Sequence, residues 1–307
     1  MIRIGSRGSQ LALWQANHIV DALRGLGHEV SIDIIRTTGD RMQSIPFATV
    51  GAKGMFTREI EEALLAGTID LAVHSLKDLP TELGEPFTLA AIPKRADARD
   101  VLVSERYERF DALPSGAVVG TSSLRRQAQL RARRSDLEYV EFRGNVDTRL
   151  AKLTQGKADA IILAAAGLDR LQKTAAIRER FAPEAVCPSP GQGALAIECR
   201  ADDERMHEVL RPLEDSATRM AVTAERRCLA ALGGGCLVPI GAYCHHSGDE
   251  LSMRAVVASA DGRQLISAEG RHGDPIALGE QVARQLLNQG AGAILHLEEK
   301  PIEEKRA

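Results

Sequence analysis

Aromatic side chains make up only 3% of the 307 residues, and Trp14 is the sole tryptophan. Proteins that hold single-stranded nucleic acid stack bases on aromatic platforms, so this function class is disfavoured from the outset. Net positive charge is also missing. With 39 Lys and Arg against 42 Asp and Glu, the formal charge is -3 at pH 7, and any anion binding must come from local clusters of arginine. The five cysteines, Cys187, Cys199, Cys228, Cys236 and Cys244, form no CxxC spacing and no even set. Neither a zinc site nor a disulfide framework is indicated, and a reducing compartment fits better. No apolar run reaches the roughly 18 residues of a membrane span, and the opening Ile2-Arg3-Ile4 reads as a strand without the features of a signal peptide. These absences predict a soluble, cytoplasmic protein without a metal site. With 44% hydrophobic residues, a chain of this length should bury proper cores in two or three domains.

What is present is a plan written twice. Ile2–Ile4 is followed by Gly5-Ser6-Arg7-Gly8-Ser9 and a helical pattern with Ala12, Ala16, Ile19 and Leu23 on one face; Ser9 suits its N-cap. Val118-Val119-Gly120-Thr121-Ser122-Ser123-Leu124-Arg125-Arg126 echoes that strand, hydroxyl-rich turn and helix, the helix running to about Arg133. Gly67-Thr68-Ile69-Asp70-Leu71-Ala72-Val73 is echoed in the same order by Gly156-Lys157-Ala158-Asp159-Ala160-Ile161-Ile162. Two similar α/β lobes are the economical reading. Each would aim a capped helix N-terminus at the cleft between them, an arrangement that favours an anionic ligand.

Between the echoes, a strand is expected over Val30–Ile35, a loop from Thr37 to Gly54, a helix from Thr57 to Ala66 and a buried strand from Ile69 to Val73 running into His74-Ser75-Leu76-Lys77-Asp78-Leu79-Pro80. The loop reads as a mobile cover for the cleft. Cys187–Glu198, with Pro188, Pro190, Gly191 and Gly193, reads as a crossing back between lobes. A helix over Thr218–Ala231, strands near Val238–Tyr243, Met253–Val257 and Gln264–Ala268, and a helix over Ile276–Asn288 ended by Gly290 describe a small α+β domain with a frayed, charged tail. The expected division is 1–95 with 193–212, 96–192, and 216–307.

The last domain carries Leu232-Gly233-Gly234-Gly235-Cys236-Leu237-Val238. Three consecutive glycines resist regular structure. Cys236 is thus either a small hydrophobe under a glycine turn or a thiol delivered into a site built elsewhere. The pair Arg125 and Arg126, directly after a Thr-Ser-Ser turn, offers guanidinium forks beside a helix N-terminus, which suits carboxylate binding.

The ordered motifs resemble the porphobilinogen deaminase (hydroxymethylbilane synthase) family over nearly the whole chain. They are Arg7-Gly8-Ser9 with Leu11-Ala12-Leu13-Trp14-Gln15, Val50-Gly51-Ala52-Lys53-Gly54, Ala72–Pro80, Val119–Gln127, Arg143-Gly144-Asn145-Val146 with Thr148-Arg149-Leu150, Ala164–Leu168, Gly191-Gln192-Gly193-Ala194, and the Cys236 stretch. The resemblance implies two lobes like those of periplasmic binding proteins plus a third domain, and a transferase that polymerises four porphobilinogens into hydroxymethylbilane with loss of ammonia. It implies a dipyrromethane cofactor on Cys236 as primer, a monomer, and no nucleic-acid or membrane partner. It casts Asp78, Arg143 and Arg149 as catalytic. Lys77, Asp78, Thr121, Ser123, Arg125, Arg126 and Gly144 would hold the cofactor, and Arg7, Ser9, Lys53, Arg143, Arg149 and Arg170 the carboxylates of substrate and growing chain. Thr49, Leu237 and Asp169 depart from the family pattern, which bears on loop contacts and not on the reaction. Two other classes remain: a non-catalytic anion-binding protein on the same two-lobe plan, and nucleic-acid binding through Arg125, Arg126, Arg131, Arg133 and Arg134, which the negative total charge opposes.

Overall fold

Short apolar runs alternating with amphipathic segments assemble into three sheets in a computed structural model, which describes residues 1–41, 57–234 and 239–297. The first sheet receives β1 (Ile2–Ser6), β2 (Val30–Ile34), β3 (Leu71–Ser75) and β4 (Phe87–Ala91), with α1 (Gln10–Gly25), α2 (Thr38–Arg41) and α3 (Arg58–Leu65) between them. The second holds β5 (Asp100–Val103), β6 (Val118–Gly120), β7 (Glu138–Val140), β8 (Ala160–Ala164) and β9 (Ile177–Arg180), with α4 (Leu124–Arg133), α5 (Val146–Thr154) and α6 (Ala165–Arg170). The chain then returns through β10 (Leu195–Arg200) to the first sheet.

The strand orders are β2-β1-β3-β10-β4 and β7-β6-β8-β5-β9. In each, three parallel strands are followed by one antiparallel strand that enters directly after a crossing between lobes, and then by a last strand antiparallel to it. The two lobes are therefore matched strand for strand, each lending a strand's position to the chain returning from the other. Apolar clusters cover both faces of each sheet: Ile2, Ile4, Ile19 and Leu23 with Ile197 on one side of the first and Ile60, Leu64 and Ile69 on the other. Leu102, Phe110 and Phe181 flank one face of the second, and Val101, Phe142 and Leu168 the other. That double burial is why these strands read as continuous apolar runs rather than alternating ones.

The third unit is an antiparallel meander, β11 (Ile240–Ser247), β12 (Glu250–Ala258) and β13 (Leu265–His272). Packed on it are α8 (Ser216–Ala231) and α9 (Pro275–Asn288), which follow α7 (Glu204–Leu210) in the chain. Gly279 lets α9 close on α8, since a Cβ there would lie 2.6 Å from the Ala224 carbonyl oxygen.

Several sequence expectations shift. The crossing over Cys187–Glu198 is only half loop: Leu195–Arg200 is the β10 strand, because the prolines and glycines stop at Gly193 and the residues beyond it are buried on both faces. Strand β3 begins at Leu71 instead of Ile69, after the turn at Gly67, whose φ is +64°. Gly290 ends α9, but a further short helix, α10 (Ala291–Leu297), follows it. Of the loop from Thr37 to Gly54, Thr38–Arg41 is helical, and the expected mobile cover lies outside the described residues. No helix among the described residues is long and apolar enough to cross a membrane.

Candidate active site

Strand β3 ends at Ser75, and a single 3-10 turn, Leu76–Asp78, follows at once. Leu76 and Leu79 are buried anchors at either side of that turn, so Lys77 and Asp78 are left at the sheet's rim, with Asp78 exposed. This is the edge where open α/β sheets bind ligands. A small cleft there, about 90 Å³, is lined by Arg7, Ser9, Gln15, His74, Ser75 and Asp78 among others. Ser9 caps α1 by accepting a hydrogen bond from the Ala12 backbone N–H, and Gln15 Nε2 donates to Ser75 Oγ at 2.8 Å. The N-terminal end of α1 and the end of β3 thus meet in one place.

Lobe two contributes two capped helix starts and, at the end of α6, a buried arginine. Ser123 caps α4 by accepting from the Arg126 N–H, while Thr121 Oγ1 accepts from Ser123 N–H at 3.3 Å. Asn145 caps α5 and holds Thr148 through both its backbone N–H and its hydroxyl. Gly144 precedes it with φ +118°, and a Cβ there would sit 2.7 Å from Thr148 Cγ2, so the turn that presents Arg143 and Arg149 admits only glycine comfortably. Arg170, on α6, donates to the Gly193 carbonyl at 2.8 Å and lies 5.7 Å from the ring centre of Trp14 on α1, joining the lobes.

The electrostatics are dominated by cations withdrawn from solvent, Arg125, Arg126 and Arg170 buried and Lys77 and Arg149 half-buried. Burial, together with neighbouring Arg126 and Arg125, lowers the Lys77 ammonium to about 8. Burial and Arg126 lower Arg149 to about 10, and burial alone does the same to Arg170. The Arg149 Nε is buried with no hydrogen-bond partner among the described residues. Linked through these interactions are four cations, Lys77, Arg125, Arg126 and Arg149, against two carboxylates, Asp78 and Asp100. Such a surplus is costly in a dry site unless an anion joins it.

Asp100 is the residue the sequence reading missed. It is fully buried at the first position of β5, and its oxygens lie 2.7 Å from both Arg125 Nη1 and Arg126 Nη2, with Gln192 Nε2 at 2.9 Å. Burial opposes its ionisation, but the two guanidiniums outweigh burial and hold the carboxyl well below its usual range. Arg125 also donates to the Cys187 carbonyl at 2.6 Å. The forks expected for a ligand carboxylate are thus partly engaged inside the protein. The signal available was an aspartate opening an apolar run, Asp100-Val101-Leu102-Val103, which lacked a partner until the lobes folded. Arg143 pairs with the exposed Glu141 at 2.5 Å. Asp169 pairs with Arg180 at 2.8 Å. A second pair that the sequence did not announce is His74 Nε2 with Glu198, 2.8 Å apart between β3 and β10. Lys53 and Cys236 lie outside the described residues.

A dipyrromethane carries acetate and propionate side chains, and the donor set fits it: partnerless Arg149 Nε, the depressed Lys77 ammonium and two hydroxyl-capped helix starts all call for anionic oxygens.

Comparison with known proteins points the same way. Residues 2–208 match the family described as "Porphobilinogen deaminase, dipyromethane cofactor binding domain", and residues 219–288 match "Porphobilinogen deaminase, C-terminal domain". The porphobilinogen deaminase of Roseiflexus sp. (strain RS-1) is 52% identical over 295 residues, 95% of this chain and 97% of that protein. That of Brevibacillus brevis is 49% identical over 296 residues, 95% and 96% of the two chains. Among solved structures, a periplasmic substrate-binding protein of an ABC transporter from Coxiella burnetii is similar at 15% identity and TM-score 0.42, covering 71% of this chain and 94% of its own. The chain belongs to the porphobilinogen deaminase family.

Proposed function

We propose that this protein is a transferase of porphyrin and heme biosynthesis that joins four porphobilinogens head to tail into hydroxymethylbilane, releasing ammonia, on a dipyrromethane primer linked through a thioether to Cys236. The observation that carries the reading is the surplus of buried and half-buried cations beside Asp78, with Arg149 Nε left partnerless among the described residues. A neutral or cationic substrate would leave that charge unbalanced. Once bound, the primer supplies both carboxylates and a terminal pyrrole whose free α-carbon is the nucleophile.

The protein's part is electrostatic and positional. As the C–N bond of the aminomethyl group breaks, ammonia departs and positive charge develops on the pyrrole of porphobilinogen. Asp78, exposed at the rim, accepts a hydrogen bond from that pyrrole N–H and stabilises the charge, then takes part in removing the α-proton once the carbon–carbon bond has formed. Lys77, Arg126 and Arg149 hold carboxylates of the primer, with Thr121 and Ser123 as hydroxyl partners and Gly144 shaping the turn. Arg7, Ser9, Lys53 and Arg170 hold those of the substrate. Arg143 exchanges the solvent-screened Glu141 for a ligand carboxylate at little cost, because exposed pairs contribute about 0–1 kcal/mol. With Arg149 it also eases ammonia loss.

We take the protein to be a monomer and place it in the cytoplasm. The domain division that accords with the three sheets is 1–95 with 193–212, 96–192, and 216–307.

The test is intact mass under denaturing conditions after incubation with porphobilinogen, with Cys236→Ser as control and ammonia release measured alongside. A mass excess of two porphobilinogens less two ammonias, absent in the control, is expected. In the same assay Asp78→Ala should fold and turn over about 100-fold more slowly or worse, the scale of a lost acid–base group. An unmodified chain after incubation would favour a reversible anion-binding protein, and full turnover by Asp78→Ala would remove its assigned role.

A further inference from the structure

The turn that carries Lys77 and Asp78 lies past the end of β3, held at its start by the Leu76 N–H, which donates to the Ala194 carbonyl at 3.0 Å. Helix α8 lies against it from the third unit. Val222 is fully buried in one apolar cluster with Leu76, Leu79, Ile92, Ala194 and Ala196, packing against the two leucines that bracket Lys77 and Asp78. One helical turn later, on the same face, Arg226 donates from Nη2 to the carbonyls of Pro80 at 2.7 Å and Thr81 at 2.9 Å. Between them in the sequence, fully buried Glu225 accepts from the Gly191 N–H at 2.7 Å, and Gly191 itself leaves no room for a Cβ, which would lie 2.9 Å from Leu76 Cγ. Glu225 also pairs with Arg95 at 2.6 Å and accepts from the Cys244 N–H at 2.8 Å, which ties α8 to its own sheet. The opposite face of α8, with Ala221, Ala224, Cys228 and Leu232, is committed to the third unit's core.

Helix α8 therefore has two faces with two tasks, and its C-terminal end runs straight into the glycine stretch that bears Cys236. We propose that Arg226 is a positioning residue for the reaction: by clamping the carbonyls of Pro80 and Thr81, it registers the Asp78 turn against the helix that leads to the cofactor cysteine. The inference rests on the function proposed above. A guanidinium suits the task because the two N–H bonds of Nη2 diverge within the fixed guanidinium plane and reach two successive carbonyls in a set direction, whereas a lysine ammonium rotates freely about its stem. A misplacement of about 1 Å at a reacting centre can cost about 100-fold in rate without any change in the groups present. Loss of the clamp should thus be felt in the chemical step and not in substrate capture, since the carbonyls Arg226 holds follow Asp78 in the chain and the carboxylate-binding arginines are carried by other elements.

The experiment compares holoenzymes of the wild type, Arg226→Gln and Arg226→Lys, each checked by intact mass for cofactor loading and by melting temperature. For Arg226→Gln the expected result is wild-type loading, kcat down at least about 10-fold and KM within about twofold; Arg226→Lys should recover part of the loss. Wild-type kcat in Arg226→Gln would overturn the inference. So would a loss of kcat in step with KM and melting temperature, the signature of a purely structural contact. If Arg226→Gln does not fold, Arg226→Lys decides alone: unchanged kcat overturns the proposal, and a kcat loss at constant KM and melting temperature supports it. A wild type that is neither loaded nor active would instead overturn the underlying function, a failure visible before any variant is compared.

Discussion

Asp100 shows how one side chain can set the charge balance of the whole cleft. It neutralises part of the charge of Arg125 and Arg126 from inside the protein. Replacing it by Asn keeps the shape but strands two buried guanidiniums, and a loss of about 3–5 kcal/mol in unfolding free energy is expected. The pH sign follows from its depressed folded-state pKa. Below about pH 4, where the unfolded aspartate takes up a proton, the unfolded state binds more protons, so the stability Asp100 contributes is complete above that pH and drains away as the pH falls. Urea titrations at several pH values check this: the wild type should lose stability steeply on acidification and Asp100→Asn less so, and parallel acid limbs would refute it. The sequence could list Arg125 and Arg126 as candidates, because their residue types and place after a helix cap were visible. It could not reveal that an interior carboxylate had already engaged them.

At the scale of elements, local rules served wherever the decisive partner was close in the chain. Ser9 and Ser123 cap the helices they precede, and α1, α4 and α8 run within a few residues of the limits that apolar periodicity set. Strand β10 is the counterexample: the prolines and glycines stop at Gly193, but Leu195–Arg200 gains its pairing partners only from β3 and β4, which leave a slot between them. The turn before α5 is instead dictated locally. Gly144 has φ +118° and no room beside Thr148, so Gly144→Ala should cost about 1–3 kcal/mol, read as a lower midpoint in urea unfolding. An unchanged midpoint would mean that the turn relaxes freely, and its part in presenting Arg143 and Arg149 would lose its basis.

At the scale of the molecule, the two lobes are exchanged copies. The crossings between them are stitched at Ala96 with Gly193, at Gln192 with Ala98 and at Arg170 with Gly193, while Glu225 fastens the third unit to the same seam. Such a seam holds α8, the Asp78 turn and the starts of α1 and α4 in one register. Light scattering at micromolar concentration should give the mass of one chain. A stable dimer whose disruption abolished turnover would contradict that. The four described cysteines are all buried, and burial lifts Cys228 and Cys244 to about 12, so none of them offers a thiolate to compete for the primer.

The sequence by itself determined the repeated α/β plan, the caps, the glycine setting of Cys236 and the residue types suited to a polycarboxylate. These depend on contacts within a few residues or on ordered motifs that survive in linear form. Only the tertiary structure decided which cations remain available, that Asp100 lies between two of them, that β10 completes the first sheet, and that Arg226 reaches the Asp78 turn from another unit. Each of these joins residues far apart in the chain, and burial and pairing of charge have no value until the fold brings the partners within a few ångströms.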